Sequence, residues 1–138
     1  MQIVEPMDIE DALRIDVGEV LKSLNMNPKA RCTASPAPDD LKAHTVTFTQ
    51  VGGADQTSVS HVYDVSIDVW GATPGGALNL ANKVQGIISS LPMREFSSGR
   101  QYKTAEARIP YPNPDPNRPR LLRFSFNAAI GIRGESIF

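Results

Sequence analysis

A run of alternating apolar residues near the end of the sequence constrains the fold more than any other feature. In LLRFSFNAAIGIRG, from Leu121 to Gly134, every second position is apolar: Leu122, Phe124, Phe126, Ala128, Ile130 and Ile132. Because successive side chains on a strand point to opposite faces, this pattern predicts a long strand with one buried face. The preceding twelve residues, IPYPNPDPNRPR from Ile109 to Arg120, hold five of the chain's eleven prolines and predict a stiff loop.

Period-two and period-three-to-four patterns predict the other elements. Alternation predicts strands over 45–51, from Val59 to about Trp70, and over 102–109. Apolar residues at helical spacing predict helices from Met7 to Leu24 and from Thr73 to Leu91. Asp8 and Thr73 are the expected N-caps, and Pro74 suits a first helical position. Residues 28–41 are small, polar and proline-rich, which predicts a loop with at most a short strand near 30–34.

The order of these elements predicts an α+β domain over residues 1–138. Helix, strand, strand, helix, strand, strand is typical of a mainly antiparallel four- to five-stranded sheet with two helices packed on one face. The Gly-Gly pair in VGGADQTS, residues 51–58, predicts a loop or hairpin turn. The proline-rich residues 110–120 then form a long hairpin loop between the last two strands.

Composition excludes several classes of protein. A chain of 138 residues can bury one core without disulfides or metals, and a net charge of −1 gives no long-range attraction for nucleic acid or anionic membrane. Cys32, the only cysteine, cannot form an internal disulfide and is expected to be a small, partly buried side chain. Without a signal pattern or an apolar run of about 18 residues, the chain is expected to be soluble and made in a reducing cytoplasm.

No catalytic or metal-binding motif stands out, so we expect no enzyme, no cofactor and no metal. His61, Asp64 and Asp68 are the nearest to a constellation, but alternation points His61 away from both aspartates. Asp64 and Asp68 share a face about 13 Å apart, too far to hold one ion unaided. Nucleophile-elbow, phosphate-loop and dinucleotide patterns are absent from the sequence.

The alternation also predicts a second, polar sheet face. Its expected members are Thr45, Thr47, Thr49, Asp64, Ser66, Asp68, Thr104, Glu106, Arg108, Arg123, Ser125 and Asn127. This face either lies in water, as antiparallel sheets tolerate, or packs against another copy of the chain. In the second case its acidic side chains would meet arginines across the joint.

Several segments resemble the tail-terminator proteins of long-tailed bacteriophages. VYDVSIDVWGATPGGALNLANKVQGIISSLP, residues 62–92, is similar to the family's strand that ends in tryptophan and a small residue before an alanine-rich helix. IPYPNPDPNRPRLLRFSFNAAIGIRG, residues 109–134, resembles its closing hairpin, in which a proline-and-aspartate loop precedes an aromatic strand. FTQVGG, residues 48–53, resembles its strand ending in Gly-Gly. The likeness covers most of residues 7–134, except 28–40.

The resemblance implies an assembly function without chemistry. Family members form a ring, usually of six, on the last layer of the tail tube, where they stop tube polymerisation and offer a surface to the head connector. The implied partners are other copies, the major tail-tube protein and the connector. DNA would pass through the ring without sequence-specific binding, no membrane is involved, and the protein would be assembled in the bacterial cytoplasm into the virion.

Under this reading the polar face and the proline hairpin are the expected contact regions. The predicted contact residues are Asp64, Asp68, Glu106, Arg108, Tyr111, Asn113, Asp115, Arg118, Arg120, Arg123 and Arg133. One alternative is another neck, head-completion or connector-adaptor protein of the same virion. A second, from a different class, is a small ligand-binding or enzyme domain, and a third is a subunit of a related non-viral contractile or secretion machine.

Overall fold

A computed structural model describes residues 4–25, 30–55, 60–133 and 135–136 of the chain. Its helices are α1 (Ile9–Ser23) and α2 (Pro74–Ser89), followed by a 3-10 turn at Leu91–Met93. Its strands are β1 (Val4–Glu5), β2 (Arg31–Ala34), β3 (Thr45–Asp55), β4 (Ser60–Gly71), β5 (Tyr102–Ala107), β6 (Tyr111–Pro112), β7 (Leu122–Arg133) and β8 (Glu135–Ser136).

The main sheet has the order β2-β3-β4-β7-β5, and β6 also pairs with β7. The pairs β3–β4, β4–β7, β5–β7 and β6–β7 are antiparallel, whereas β2 and β3 run parallel. The two terminal strands β1 and β8 form a separate antiparallel pair. The predicted α+β class is therefore confirmed, with a mixed sheet of six strands in place of the expected four or five.

Both helices pack on one face of this sheet, as the sequence predicts. Asp8 caps α1 by accepting a hydrogen bond from the backbone N–H of Asp11, and Thr73 caps α2 through the N–H of Gly76. Their apolar stripes meet the alternate residues of β3, β4 and β7 in one core. Its largest fully buried side chains include Phe48, Phe126, Ile9, Leu13, Ile67, Leu80, Ile88, Leu91 and Ile130.

The junction between β4 and α2 depends on a glycine at position 71. A Cβ placed on Gly71 would lie 2.7 Å from both the Cα and the Cβ of Ala77, inside normal van der Waals contact. The first turn of α2 can therefore lie directly against the end of β4. The Trp-Gly pair that ends this strand thus has a packing reason: Gly71 admits the helix, and Trp70 points to the opposite side.

The structure corrects the predicted end of β3. The strand continues through the two glycines to Asp55, with a bulge between Gln50 and Gly52, so residues 51–55 are not a loop. Gly53 is needed there because a Cβ would lie 2.7 Å from the carbonyl oxygen of Val62 on the paired strand. The remaining predicted turn residues 56–58, and Val59, lie outside the described residues.

Smaller differences concern element ends. Leu24, predicted as the last member of the α1 stripe, is half exposed because the helix ends at Ser23. Strand β5 ends at Ala107, and the chain then pairs again with β7 as the short β6. The predicted short strand near 30–34 is confirmed as β2, although its parallel pairing was not foreseen.

Candidate interaction surface

The sheet face that points away from the helices is the open face, and the strand register divides its side chains into rows. Across β4, β7 and β5, one row holds Asp64, Ala129 and Glu106. The next row holds Ser66 and Asn127, beside which the backbone N–H of Arg108 donates to Asn127 O. The following rows hold Asp68 with Ser125, and Trp70 with Arg123. The predicted polar face is therefore formed, and His61 lies on the other side.

One end of the open face is covered by the proline loop, residues 113–121, which folds back on the sheet. Trp70 is only 2% exposed there, although it points away from the helical core. The guanidinium carbons of Arg118 and Arg123 each lie 5.9 Å from the centre of the indole ring, within the range of cation–π attraction. The proline loop therefore packs on the chain's only tryptophan.

A buried carboxylate holds these two arginines in place. Asp115 is 6% exposed and accepts hydrogen bonds from Arg118 Nη1 and from the backbone N–H of Asn117, both at 3.0 Å. Arg123 Nη1 lies 3.8 Å from the same carboxylate. Burial by itself would raise the pKa of Asp115, but these hydrogen bonds and the two positive charges outweigh it and lower that pKa.

Polar contacts fasten the start of the proline loop to β7 and β4. The Asn113 amide donates to Ser125 Oγ at 3.0 Å, and Ser125 Oγ donates to Asp68 Oδ1 at 2.5 Å. Arg123 Nε donates to the carbonyl oxygen of Asn113 at 2.7 Å. The hairpin that the sequence predicts therefore has a tip bound to its own sheet.

The same end of the open face corrects the prediction of a wet face on β3. Thr45 and Thr47 are 1% and 2% exposed. Thr45 Oγ1 donates to the carbonyl oxygen of Lys42 at 2.7 Å, and Thr47 Oγ1 shares a hydrogen bond with Thr33 of the neighbouring strand β2. The segment after β2 and the proline loop also meet, since Arg118 Nη2 donates to Pro38 O. These contacts leave Thr45, Thr47, Trp70 and Ser125 buried on this half of the face.

The other half of the open face is exposed and concave. A depression of about 690 Å³ lies over β4, β7 and β5, and its lining includes Val51, Asp64, Glu106, Arg108, Asn127 and Ala129. Val51, in the β3 bulge, is 62% exposed at its edge. The floor of the depression is low because the small side chain of Ala129 lies between the longer side chains of Asp64 and Glu106. This part of the face has the shape and mixed polarity of a contact surface.

The predicted contact residues fall into two groups. Asp68, Asn113, Asp115, Arg118 and Arg123 use their polar side-chain atoms within the chain. In contrast, the other predicted contact residues are exposed, and their side chains make no hydrogen bond or ion pair within the described part of the chain. They are Asp64, Glu106, Arg108, Tyr111, Arg120 and Arg133. The second group is available to a partner without breaking an internal contact.

Apolar side chains lie exposed at the edge of the sheet, and of these only Tyr111 was among the predicted contact residues. Ile109 is 77% exposed and Tyr111 is 50% exposed, both between β5 and the proline loop. Val51 was predicted where a strand ends and a turn begins, and neither Val51 nor Ile109 was among the predicted contact residues. Each of these three residues is apolar and lies near a glycine or proline at the end of a predicted strand. At such a position the strand no longer packs under the helices, so an apolar side chain there can be exposed.

A further polar cluster lies outside the open face. Asp16 on α1 is 1% exposed and accepts hydrogen bonds from Ser98 Oγ, Arg100 Nε and Tyr102 Oη. Burial, and then the adjacent Asp16 carboxylate, raise the pKa of Tyr102. This cluster ties α1 to the segment before β5, and sequence spacing gave no sign of it.

The candidate chemical groups are also placed by the structure. His61 Nδ1 lies 2.5 Å from Asp55 Oδ1, a partner that the sequence did not indicate. Cys32 is partly buried, and burial raises the pKa of its thiol to about 12, which keeps it protonated and a poor nucleophile near neutral pH. Among the described residues, no group of three or more His, Cys, Asp or Glu is placed to hold a metal ion.

Comparison with protein-family models and with curated proteins finds no match for this chain. Neither helix in the part of the chain that the structure describes has the length and hydropathy needed to cross a membrane.

Proposed function

We propose that this chain is a structural virion protein that assembles as a ring on the end of a phage tail tube, stops tube polymerisation and forms the joint to the head connector. The observation that carries the proposal is the half-covered open face. Its exposed half combines a depression with charged and apolar side chains that have no internal partner in the described part of the chain. Such a surface suits work done by contact with other proteins.

The positions of the family-like segments support the same proposal. The strand ending in tryptophan and glycine is β4, and the aromatic alternating strand is β7, which pairs with it over twelve residues. The proline-and-aspartate loop between β6 and β7 lies on that tryptophan. The three segments that resemble the terminator family therefore form one continuous structure, with the open face on its surface.

The internal ion pairs of the proline loop reduce the number of arginines that we assign to contacts between subunits. Arg118 and Arg123 are bound to Asp115, so they stiffen the proline loop before a partner arrives and lower the ordering cost of contact. Arg108, Arg120 and Arg133 are the exposed arginines of the predicted set that keep free guanidinium groups. We assign the charged subunit contacts to these three and to Asp64 and Glu106.

Tube assembly in the presence of the purified protein tests the function. Tail-tube protein from the same phage is polymerised with increasing amounts of the chain, and tube length is measured by electron microscopy. We expect shorter tubes with a ring at one end, and weaker capping by Arg120→Glu. Lys22→Glu, which makes the same charge change on α1, should cap normally. Tubes of unchanged length without end rings would overturn the proposal, and binding to the connector alone would favour another neck protein.

A further inference from the structure

From the charge pattern of the open face we infer that two copies of the free chain pair face to face around a two-fold axis near Gly131, each inserting Arg133 between Asp64 and Glu106 of the other. The occupant of the depression is therefore a second copy of this chain. This contact goes beyond the ring proposed above, because it belongs to the subunit before assembly.

The receptor for the arginine is one row of the sheet. Asp64 on β4 and Glu106 on β5 flank Ala129 on β7, and neighbouring strands lie about 4.8 Å apart. The two carboxylates therefore lie on either side of a methyl group, with space above it. Both are exposed and have no hydrogen bond or ion pair within the described residues. A guanidinium placed over Ala129 can reach both, which suits its planar set of donors.

The matching arginine lies on the same face of the same strand. Arg133 follows Ala129 by four residues on the unbulged strand β7, so its side chain points the same way about 13 Å further along. It is exposed and unpaired in the described part of the chain. Lys103 reaches the same end of the face, where its Nζ donates to Ser60 Oγ. The face thus has a basic end and, two rows further along β7, an acidic pair, with Arg108 beyond that pair in the lining of the depression.

A receptor and its ligand on one surface patch fit a two-fold contact, in which each copy gives and receives the same residue. The midpoint between Ala129 and Arg133 is Gly131, flanked by Val62 on β4 and Thr104 on β5. A two-fold axis that lies above this row, midway between the two sheets, parallel to them and perpendicular to the strands, places each Arg133 over the partner's Ala129. The Thr104 hydroxyl fills the space over Gly131 in which a Cβ would lie, and the modest size of Thr104 and Val62 lets two sheets approach to about 10 Å.

The expected contact is small. The exposed half of the face spans about four strands and four rows, or roughly 500 Å² per copy and 1,000 Å² in total. This area lies at the lower limit of specific interfaces, where weak and transient contacts are found, so we expect a reversible dimer. A weak dimer contact covers the open face of the free subunit, and stronger contacts with the tail tube can replace it. This role as a reversible cover rests on the proposed function, whereas the dimer itself does not.

A charge-swap experiment tests the pairing. Arg133→Glu places a carboxylate where the arginine would insert, and the double variant Asp64→Lys with Glu106→Lys gives the receptor two positive charges in place of two negative ones. Sedimentation velocity should show a concentration-dependent dimer for the native chain and an association about tenfold or more weaker for each variant alone. An equimolar mixture should restore a particle of twice the subunit mass. Lys22→Glu, on α1, should dimerise like the native chain.

Each other outcome overturns the two-fold contact. A native chain that stays monomeric, or a dimer that Arg133→Glu leaves intact, shows that the open face does not pair in this way. A mixture that forms a larger closed ring shows that the same charges act head to tail, which contradicts the two-fold contact and supports the ring. Thermal unfolding of each variant establishes that the folds are intact. Tube capping by the native chain decides the proposed function separately.

Discussion

Removal of the Asp115 carboxylate should loosen the proline loop and destabilise the whole fold. Asp115→Ala deletes the acceptor for Arg118 Nη1 and for the Asn117 N–H, each at 3.0 Å, and leaves Arg123 without its counter-charge. Breaking a buried ion pair costs about 3–5 kcal/mol. Because the two arginine side chains are 27% and 20% exposed, water can solvate them in part, and we expect about 2–3 kcal/mol.

The chain provides its own probe for this change. Trp70 is the only tryptophan and lies under both arginines, so its fluorescence reports whether the proline loop is packed on the sheet. Urea and thermal unfolding followed by this signal should show a loss of roughly 6–12 °C in Tm for Asp115→Ala. The native emission should also shift to longer wavelength as water reaches the indole.

Asp39→Asn is the matched control for this experiment. Asp39 is exposed on the segment that faces the proline loop and has no hydrogen bond or ion pair in the described part of the chain. Its replacement should change stability by less than about 0.5 kcal/mol. An Asp115→Ala protein with native stability and unchanged emission would show that the loop does not depend on this carboxylate.

Three further predictions concern the rest of the fold. Burial alone would raise the pKa of Glu10, but three hydrogen-bond donors outweigh it and lower that pKa. The stabilisation of the fold by the Glu10 carboxylate is therefore present above its unfolded pKa of 4.5, and it is lost as pH falls through the lower folded pKa. Glu10→Gln should cost about 1–2 kcal/mol at pH 7 and flatten the acid limb of Tm against pH below about pH 5; an unchanged limb contradicts this role. Asp16→Asn should cost about 3 kcal/mol in urea unfolding, since it leaves Arg100 without its buried counter-charge; a loss below 0.5 kcal/mol would show the pair to be unimportant. Gly71→Ala should lower stability by at least about 2 kcal/mol through its clash with α2, whereas Gly86→Ala, which meets nothing within 4 Å, should raise it by up to about 1 kcal/mol; equal melting temperatures would refute the packing argument.

The fold could be predicted from sequence wherever local pattern and tertiary burial agree. Strands β4 and β7 alternate over their whole length because one face lies under the helices, so periodicity alone located them. The caps of both helices were also readable, since a capping side chain acts on its own first turn. The parallel pairing of β2 was not, because four residues carry no useful period and their partner is chosen by tertiary packing.

The candidate surface was only partly predictable for a related reason. Alternation identified which side chains leave the helical core, but it could not tell which of them the chain covers itself. Trp70 and Asp115 are far apart in sequence, and their burial depends on a loop that folds back. The spacing of Asp115 and Arg118 was the one local sign of an internal pair. A proline-rich loop can therefore be stiff because it is bound to its own sheet as well as because of its prolines.

Electron microscopy of tail tubes mixed with the purified chain shows whether this protein caps a tube end. Tubes built from the tail-tube protein of the same phage should acquire a ring of this chain at one end only, and capped tubes should stop growing when more tube protein is added. The Asp64→Lys, Glu106→Lys double variant should leave the ends bare, while Lys22→Glu should cap them. Tubes that continue to grow at both ends, with no added density at saturating protein, would contradict the account.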